Sequence, residues 1–242
     1  MIIKRANNLG KAHSDTLTLR CHFAFADYQD PEYVHEGRLR AINLGSMLPN
    51  SSYRLGPEKN LDIVTWLQTG TLWTKADNFS SNHLYSGGLQ LINAGTGVCD
   101  MEWHSGADGA SFIQFWFMAD TEGGLPEQEI RAAFPKPEDG GFRIIASGFP
   151  EDDPEELGII EDDAPVKLSA RSRLLYADIP AGEGAAYQTT PDRDLYIVVV
   201  SGEMTLNGEN LSCGDGVMLP QTQNVTIIAN CETVILLCDV SV

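Results

Sequence analysis

The chain has 242 residues, 43% of them hydrophobic, and 34 acidic against 16 basic side chains give a formal net charge of −18 at pH 7. This composition predicts a soluble globular protein and excludes collagen-like chains and chains that span a membrane with one apolar run. A surface so negative repels phosphate backbones and anionic headgroups, so neither nucleic acid nor membrane is expected as a partner. The first ten residues lack the apolar stretch of a secretory signal, which predicts a cytoplasmic location.

Short β-prone runs separated by turn residues follow one another along most of the chain, which is typical of a sandwich or barrel. The clearest runs are residues 63–67, 89–92, 112–117, 197–200, 225–228 and 234–237. Two regions of the sequence show the same succession of features: an apolar strand ends in Gly, and a Gly pair then precedes the next apolar strand. They are residues 61–92 and residues 195–219. This repetition predicts two related β-barrels.

The middle of the chain differs in composition from both ends. Residues 151–163 contain eight acids in thirteen positions, which indicates a solvated segment rather than a calcium loop, because the EF-hand order is absent. Residues 125–134 place Pro and acids before good helix formers, a pattern that predicts a short helix. We therefore expect a barrel over residues 1–120, an acidic, Pro-rich connection with a short helix over 121–165, and a second barrel over 166–242.

The first half contains a series of distinctive segments, in order: residues 22–31 (HFAFADYQDP), 39–43 (LRAIN), 62–70 (DIVTWLQTG), 90–97 (QLINAGTG), Glu102 and 114–117 (QFWF). Together they resemble the pirin family of the cupin superfamily. The resemblance covers about residues 15–135, whereas the second half matches only in pattern. It implies an all-β bicupin, with two double-stranded β-helix (jelly-roll) barrels in tandem. It also implies a transition metal held by three His and one Glu, and the quercetin 2,3-dioxygenase activity that several members show.

This chain departs from the family at three of the four implied ligand positions. Gly56 and Glu58 stand where the His-x-His pair belongs, and Asp100 stands at the third His. Only Glu102 matches. Iron, copper and nickel prefer imidazole, whereas carboxylates alone suit Mg, Mn or Ca. The sequence therefore predicts a degenerate metal site and no cofactor beyond, at most, a weakly held hard divalent cation.

The predicted pocket consists of Arg54, Glu58, Asp100, Glu102 and His104. Asp100, Glu102 and His104 alternate along one strand and so share a face, and the resemblance implies that this face looks into the barrel. Arg54 is two residues before Gly56 and four before Glu58, so on a strand it shares their face. Its guanidinium could therefore replace the lost ion as a cation. For His104 two interpretations stay open, a ligand or an exposed residue at the barrel rim. Like charges converging here predict a raised pKa for at least one carboxyl group, unless Arg54 or Lys59 pairs with it.

Three functional hypotheses follow. The preferred one is a non-catalytic module that binds a small molecule or a protein, with no catalytic residue and either a monomeric or a homodimeric state. The second is a quercetinase-type oxygenase with a rearranged site. The third is a redox sensor acting through an exposed thiol such as Cys21 or Cys99, because the five cysteines are widely spaced and form no CxxC motif.

Overall fold

The computed structural model describes residues 1–77, 79–137, 141–152 and 164–241. Within these residues the chain forms strands and two short 3-10 helices, Ala6–Asn8 and Pro150–Asp152, and no α-helix. The strands before residue 135 are β1 (Ile2–Lys4), β2 (Gly10–His13), β3 (Leu17–Cys21), β4 (Leu39–Met47), β5 (Ser52–Leu55), β6 (Leu61–Ala76), β7 (Asn82–Tyr85), β8 (Leu89–Asn93), β9 (Met101–Met118) and β10 (Glu127–Arg131).

The later strands complete the architecture. They are β11 (Arg143–Ser147), β12 (Val166–Lys167), β13 (Ser172–Ile179), β14 (Gly184–Gln188), β15 (Arg193–Ser201), β16 (Glu203–Leu206), β17 (Glu209–Ser212), β18 (Gly216–Leu219), β19 (Asn224–Ala229) and β20 (Thr233–Ser241). The predicted all-β class with a barrel in each half of the chain is confirmed. No helix of the described chain is long and apolar enough to cross a membrane.

One curled sheet of nine strands builds the first barrel. Its main path runs β10-β8-β6-β9-β4-β3-β2, while β5 pairs with β9 and β7 pairs with β6. The two long strands β6 and β9 therefore contribute to both halves of the first barrel. Register shifts after Leu67 and after Gly70 interrupt the pairing of β6 with β9. Such bulges bend a strand, which lets the sheet close around its own core of buried side chains.

The second barrel packs a seven-stranded sheet, in the order β1-β18-β15-β20-β13-β11-β12, against a four-stranded sheet, in the order β14-β19-β16-β17. In β19 buried and exposed residues alternate strictly, as expected of a strand with one wet face. In β15 and β20 almost every residue is buried. These two strands face the barrel interior on one side and the other barrel on the opposite side, which explains their continuous apolar sequences.

A shared apolar core joins the two barrels. Phe115 and Phe117 of the first barrel lie in the same buried cluster as Val198 and Leu236 of the second. At its edge His22 is fully buried, and its Nδ1 lies 2.9 Å from the hydroxyl of Tyr196. Burial lowers the pKa of His22 to about 3. The barrels therefore pack as one unit around an interface that keeps His22 neutral.

The two barrels do not correspond to two separate halves of the chain. β1 pairs with β18 and so joins the second barrel, whereas β10 joins the first barrel and β11 the second. The predicted helix over residues 125–134 is wrong, because Glu127–Arg131 pairs residue by residue with β8. Edge pairing along β8 outweighs the local helix preference of this segment. Most of the acidic stretch 151–163 lies outside the described residues.

Two carboxyl groups meet where the barrels touch. Glu36 precedes β4, and its carboxyl group hydrogen-bonds to that of Asp194 on β15, whose Oδ1 also accepts a hydrogen bond from the backbone N–H of Gln221 at 2.6 Å. Burial first, and then Asp194, raise the pKa of Glu36 to about 7. The folded protein therefore binds more protons than the unfolded chain between about pH 4.5 and 7, and stability falls as pH rises through this window.

We predict that Glu36→Gln raises the melting temperature at pH 8 and changes it little at pH 5. Glutamine stays neutral, so the variant avoids the repulsion from Asp194 that the native carboxylate meets at high pH. Thermal unfolding followed by circular dichroism at both pH values measures the difference. Glu183→Gln, at an exposed position, is the control and is expected to show no such pH dependence. Equal shifts for Glu36→Gln at pH 5 and pH 8 would contradict the prediction.

Candidate functional site

Strand pairing brings four of the five predicted pocket residues together. In the register of β5 and β9, Arg54 lies opposite Glu102, and Ser52 lies opposite His104. Asp100 immediately precedes β9. We refer to Arg54, Asp100, Glu102 and His104 as the Arg54 cluster.

Contacts between polar and charged side chains connect the members of this cluster. Arg54 Nε lies 3.3 Å from Glu102 Oε1, and Arg54 Nη2 lies 3.5 Å from Asp100 Oδ2. His104 Nε2 lies 3.2 Å from Glu102 Oε2. The side chains of Arg54 and Asp100 are 64% and 58% exposed, so solvent screens their interaction. The guanidinium thus offsets the carboxylate charges at two of the positions that the resemblance assigned to metal ligands.

The cluster lies on the outer face of the sheet, and the implied orientation into the barrel is wrong. Along β9 the alternate residues Met101 and Trp103 are buried in the core of the first barrel. Trp103 Nε1 donates a hydrogen bond of 2.8 Å to Gln90 Oε1 inside that core. Because successive side chains of a strand point to opposite faces, Glu102 and His104 point outward. His104 packs on Trp73 there, with ring centroids 4.7 Å apart.

The backbone at Gly56 is also unsuited to a ligand side chain. Gly56 has a φ of +134°, and a Cβ built there would lie 2.2 Å from the carbonyl oxygen of Cys99. The facing turn is held by Asp77, whose carboxylate accepts hydrogen bonds of 2.8 Å from the N–H groups of Cys99 and Asp100. A histidine at position 56 would therefore require this part of the chain to move.

Glu58 does not join the Arg54 cluster. It lines a cavity of about 640 Å³, which we call the aromatic cavity, together with Phe25, Arg38, Arg40, Lys59 and Trp116 among others. Asp100 and Glu102 instead line a separate polar cavity of about 400 Å³ with Lys75, Asp77 and Cys99. Burial raises the pKa of Glu58, and the positive charge of Arg40 partly offsets this effect.

Aromatic rings form one wall of the aromatic cavity. Phe25 meets Trp116 edge to face, with ring centroids 5.0 Å apart. Trp116 is 5% exposed, and its Nε1 has no hydrogen-bond partner among the described residues. Arg40 Nη1 donates to the carbonyl oxygens of Ala24 and Val34, at 2.9 and 3.0 Å, which fixes the guanidinium at the cavity.

The donors at the implied metal position do not fit a transition metal. Gly56 has no donor side chain, Glu58 lines a different cavity, and Asp100 and Glu102 are paired with Arg54. In the part of the chain that the structure describes, no three His, Cys, Asp or Glu side chains form a group that could hold a metal ion.

The two candidate thiols differ in environment. Cys21 is buried, not exposed as the redox-sensor hypothesis requires, and burial raises the pKa of its thiol to about 11. A thiol so firmly protonated is a poor sensor. Cys99 is exposed and lines the polar cavity.

The aromatic cavity is the feature that the sequence analysis missed. Arg40 lies in the segment 39–43 and Trp116 in the segment 114–117, both of which carried the resemblance. Arg40 is only half-buried between the fully buried Leu39 and Ala41. Alternation of this kind marks a charged residue on a strand face that is open to solvent or ligand.

Comparison with known proteins gives a consistent result over the whole chain. The family model "Pirin" matches residues 3–117, and the model "Quercetinase C-terminal cupin domain" matches residues 160–240. A pirin-like protein of Caulobacter vibrioides is 30% identical over 228 residues, which cover 93% of each chain. A quercetin 2,3-dioxygenase of Escherichia coli K12 is 25% identical over 240 residues, 98% of this chain and 97% of the relative.

Solved structures show the same fold. The Escherichia coli bacterial pirin YhhW, crystallised in complex with nickel(II), superposes with a TM-score of 0.85 over 99% of this chain and 98% of that chain, at 24% identity. The predicted arrangement of two cupin barrels in one chain is thereby confirmed.

Proposed function

The chain belongs to the pirin family of bicupins, and we propose that it binds a small molecule in its first barrel without the transition metal of quercetinase chemistry. The observation that carries the proposal is the ion pairing of Arg54 with Asp100 and Glu102, two of the four implied ligand positions. The guanidinium of Arg54 neutralises carboxylate charge that a bound metal ion would otherwise neutralise.

The chemistry of the remaining donors supports the same proposal. Dioxygen activation requires a redox metal or an organic cofactor, and iron, copper and nickel sites depend on imidazole ligands. Among the described residues, His104 is the histidine that lies near these positions, and it contacts Glu102 and Trp73 on the outer face. A hard cation such as Ca²⁺ or Mg²⁺ would compete with Arg54 for the two carboxylates, so we expect it to bind weakly.

The aromatic cavity supports the binding part of the proposal. Its volume of about 640 Å³ falls within the range of sites for small molecules, and its wall combines aromatic rings with a few charged groups. Phe25, Trp116 and Arg40 are held in place by ring contacts or backbone carbonyls, so the cavity is formed before a ligand arrives.

The relatives named as quercetin 2,3-dioxygenases make that oxygenase the second candidate. Oxygen consumption with quercetin, before and after incubation with Fe²⁺, Ni²⁺ or Cu²⁺, distinguishes the two. We expect no turnover above that of the free metal ion under any of these conditions. The Escherichia coli relative, treated identically, is the comparison enzyme. Turnover by this protein that saturates with quercetin would overturn the proposal.

A further inference from the structure

Arg40 offers hydrogen-bond donors to the aromatic cavity. Both hydrogen bonds of the Arg40 side chain start from Nη1, which leaves the N–H groups of Nε and Nη2 available. A ligand that pairs with these groups must present acceptors.

The charge of the lining points in the same direction. Three cations, Arg38, Arg40 and Lys59, face two carboxyl groups, Glu58 and Glu122, on the cavity wall. Arg38 is already paired, since its Nε lies 3.0 Å from Asp120 Oδ1. Arg40 makes no ion pair among the described residues, so its charge is available to a ligand. With Arg38 paired, Arg40 and Lys59 balance Glu58 and Glu122, so this lining is close to neutral in a chain whose net charge is −18.

The shape of the wall selects a flat ligand. Phe25 is half-buried at the cavity whereas Trp116 is 5% exposed, so the Phe25 ring is the surface on which a planar group can stack. Such arrangements favour aromatic ligands over flexible aliphatic ones. Arg40 adds the planar, forked geometry that pairs with a carboxylate through two parallel hydrogen bonds.

From these observations we propose that the ligand of the aromatic cavity is a planar aromatic carboxylate, stacked on Phe25 with its carboxylate on Arg40. This inference rests on the proposed function, because it takes the cavity to be the binding site of a protein without the metal. It goes further by assigning Arg40 as the anion-binding residue.

Calorimetric titration of the full chain with 2-naphthoate, and with the neutral analogue 2-naphthamide, tests the proposal. We expect saturable binding of 2-naphthoate with one site per chain. The affinity for the amide should be lower by roughly tenfold or more, because the amide lacks the charge that strengthens hydrogen bonds to a guanidinium. Equal affinity for the two compounds, or no binding of 2-naphthoate, would overturn the proposal.

Variants identify the anion-binding residue. Arg40→Gln should weaken 2-naphthoate binding by roughly tenfold and leave 2-naphthamide within about twofold. Lys11→Gln removes the same charge from an exposed position of β2 and should leave both affinities unchanged. Loss of affinity in Lys11→Gln equal to that in Arg40→Gln would show a non-specific effect of net charge and contradict the assignment.

A second variant keeps the test decisive if Arg40→Gln does not fold, since Arg40 also bonds to Ala24 and Val34. Glu58→Gln removes a carboxylate from the cavity wall and should tighten 2-naphthoate binding several-fold without affecting 2-naphthamide. No change for 2-naphthoate would contradict the proposed position of its carboxylate.

The failures of the two proposals remain distinguishable. Quercetin turnover would overturn the proposed function whatever the titrations show. Absence of turnover together with binding of quercetin that is tighter than that of 2-naphthoate would overturn only the preference for an aromatic acid.

Discussion

Phe115→Ala is expected to lower the free energy of unfolding by about 3–5 kcal/mol, the range for removing a buried phenylalanine side chain. Phe115 is fully buried in the core shared by the two barrels, so its loss leaves a cavity between them. Urea denaturation followed by tryptophan fluorescence measures the change. Tyr85→Ala, at a ring that is 64% exposed, is the control and should change stability by less than about 0.5 kcal/mol.

The same experiment tests whether the barrels unfold together. Because Phe115 packs with residues of both barrels, we expect the midpoints reported by fluorescence and by circular dichroism to fall together in the variant as in the parent protein. A loss of stability no larger than that of Tyr85→Ala would contradict the shared core.

Asp62→Ala is expected to cost about 2–3 kcal/mol, because it leaves buried donors without an acceptor. Asp62 Oδ2 accepts hydrogen bonds from the N–H and the hydroxyl of Ser169 at 2.6 and 2.8 Å, and from the N–H of Ala170 at 3.2 Å. Asp62 is on β6 of the first barrel, and Ser169 follows β12 of the second. The carboxylate therefore connects the two barrels through backbone groups.

Asp62→Asn is the matched control, because its amide keeps one oxygen that can accept the same hydrogen bonds. Burial raises the pKa of Asp62 to about 6, so at pH 8 the charged carboxylate bears a desolvation cost that a neutral amide avoids. We therefore expect Asp62→Asn to lose less stability at pH 8 than Asp62→Ala does. Equal losses in the two variants would show that the hydrogen bonds to Ser169 and Ala170 do not contribute.

Much of the fold could be predicted from sequence because strand periodicity is a local signal. The apolar runs at residues 197–200 and 234–237 lie within β15 and β20. The choice of which strands pair leaves no such local signal in the sequence. The pairing of Ile2–Lys4 with a strand of the second barrel was therefore not predicted. Glu127–Arg131 shows the opposite difficulty, since Pro126 and its acids favour a helix while the exposed edge of β8 selects a strand.

The candidate site was predictable in its residue types but not in its geometry. The replacement of histidines by Gly56, Glu58 and Asp100 is evident from the sequence alone. The outward direction of Glu102 depends on Trp103 entering the barrel core, a packing choice that the alternation of polar and apolar residues permits in either direction. Glu58 and Asp100 line different cavities, and the turn before Asp100 is held by Asp77, which no sequence motif announces.

We propose that the first barrel of this chain has no transition-metal site. Elemental analysis of the full chain, purified without chelator and without a His-tag, tests this proposal. We predict iron, copper and nickel each below about 0.1 per chain, because the donors present do not include the imidazole set these metals need. Any of these metals near one per chain, retained through dialysis, would contradict the account.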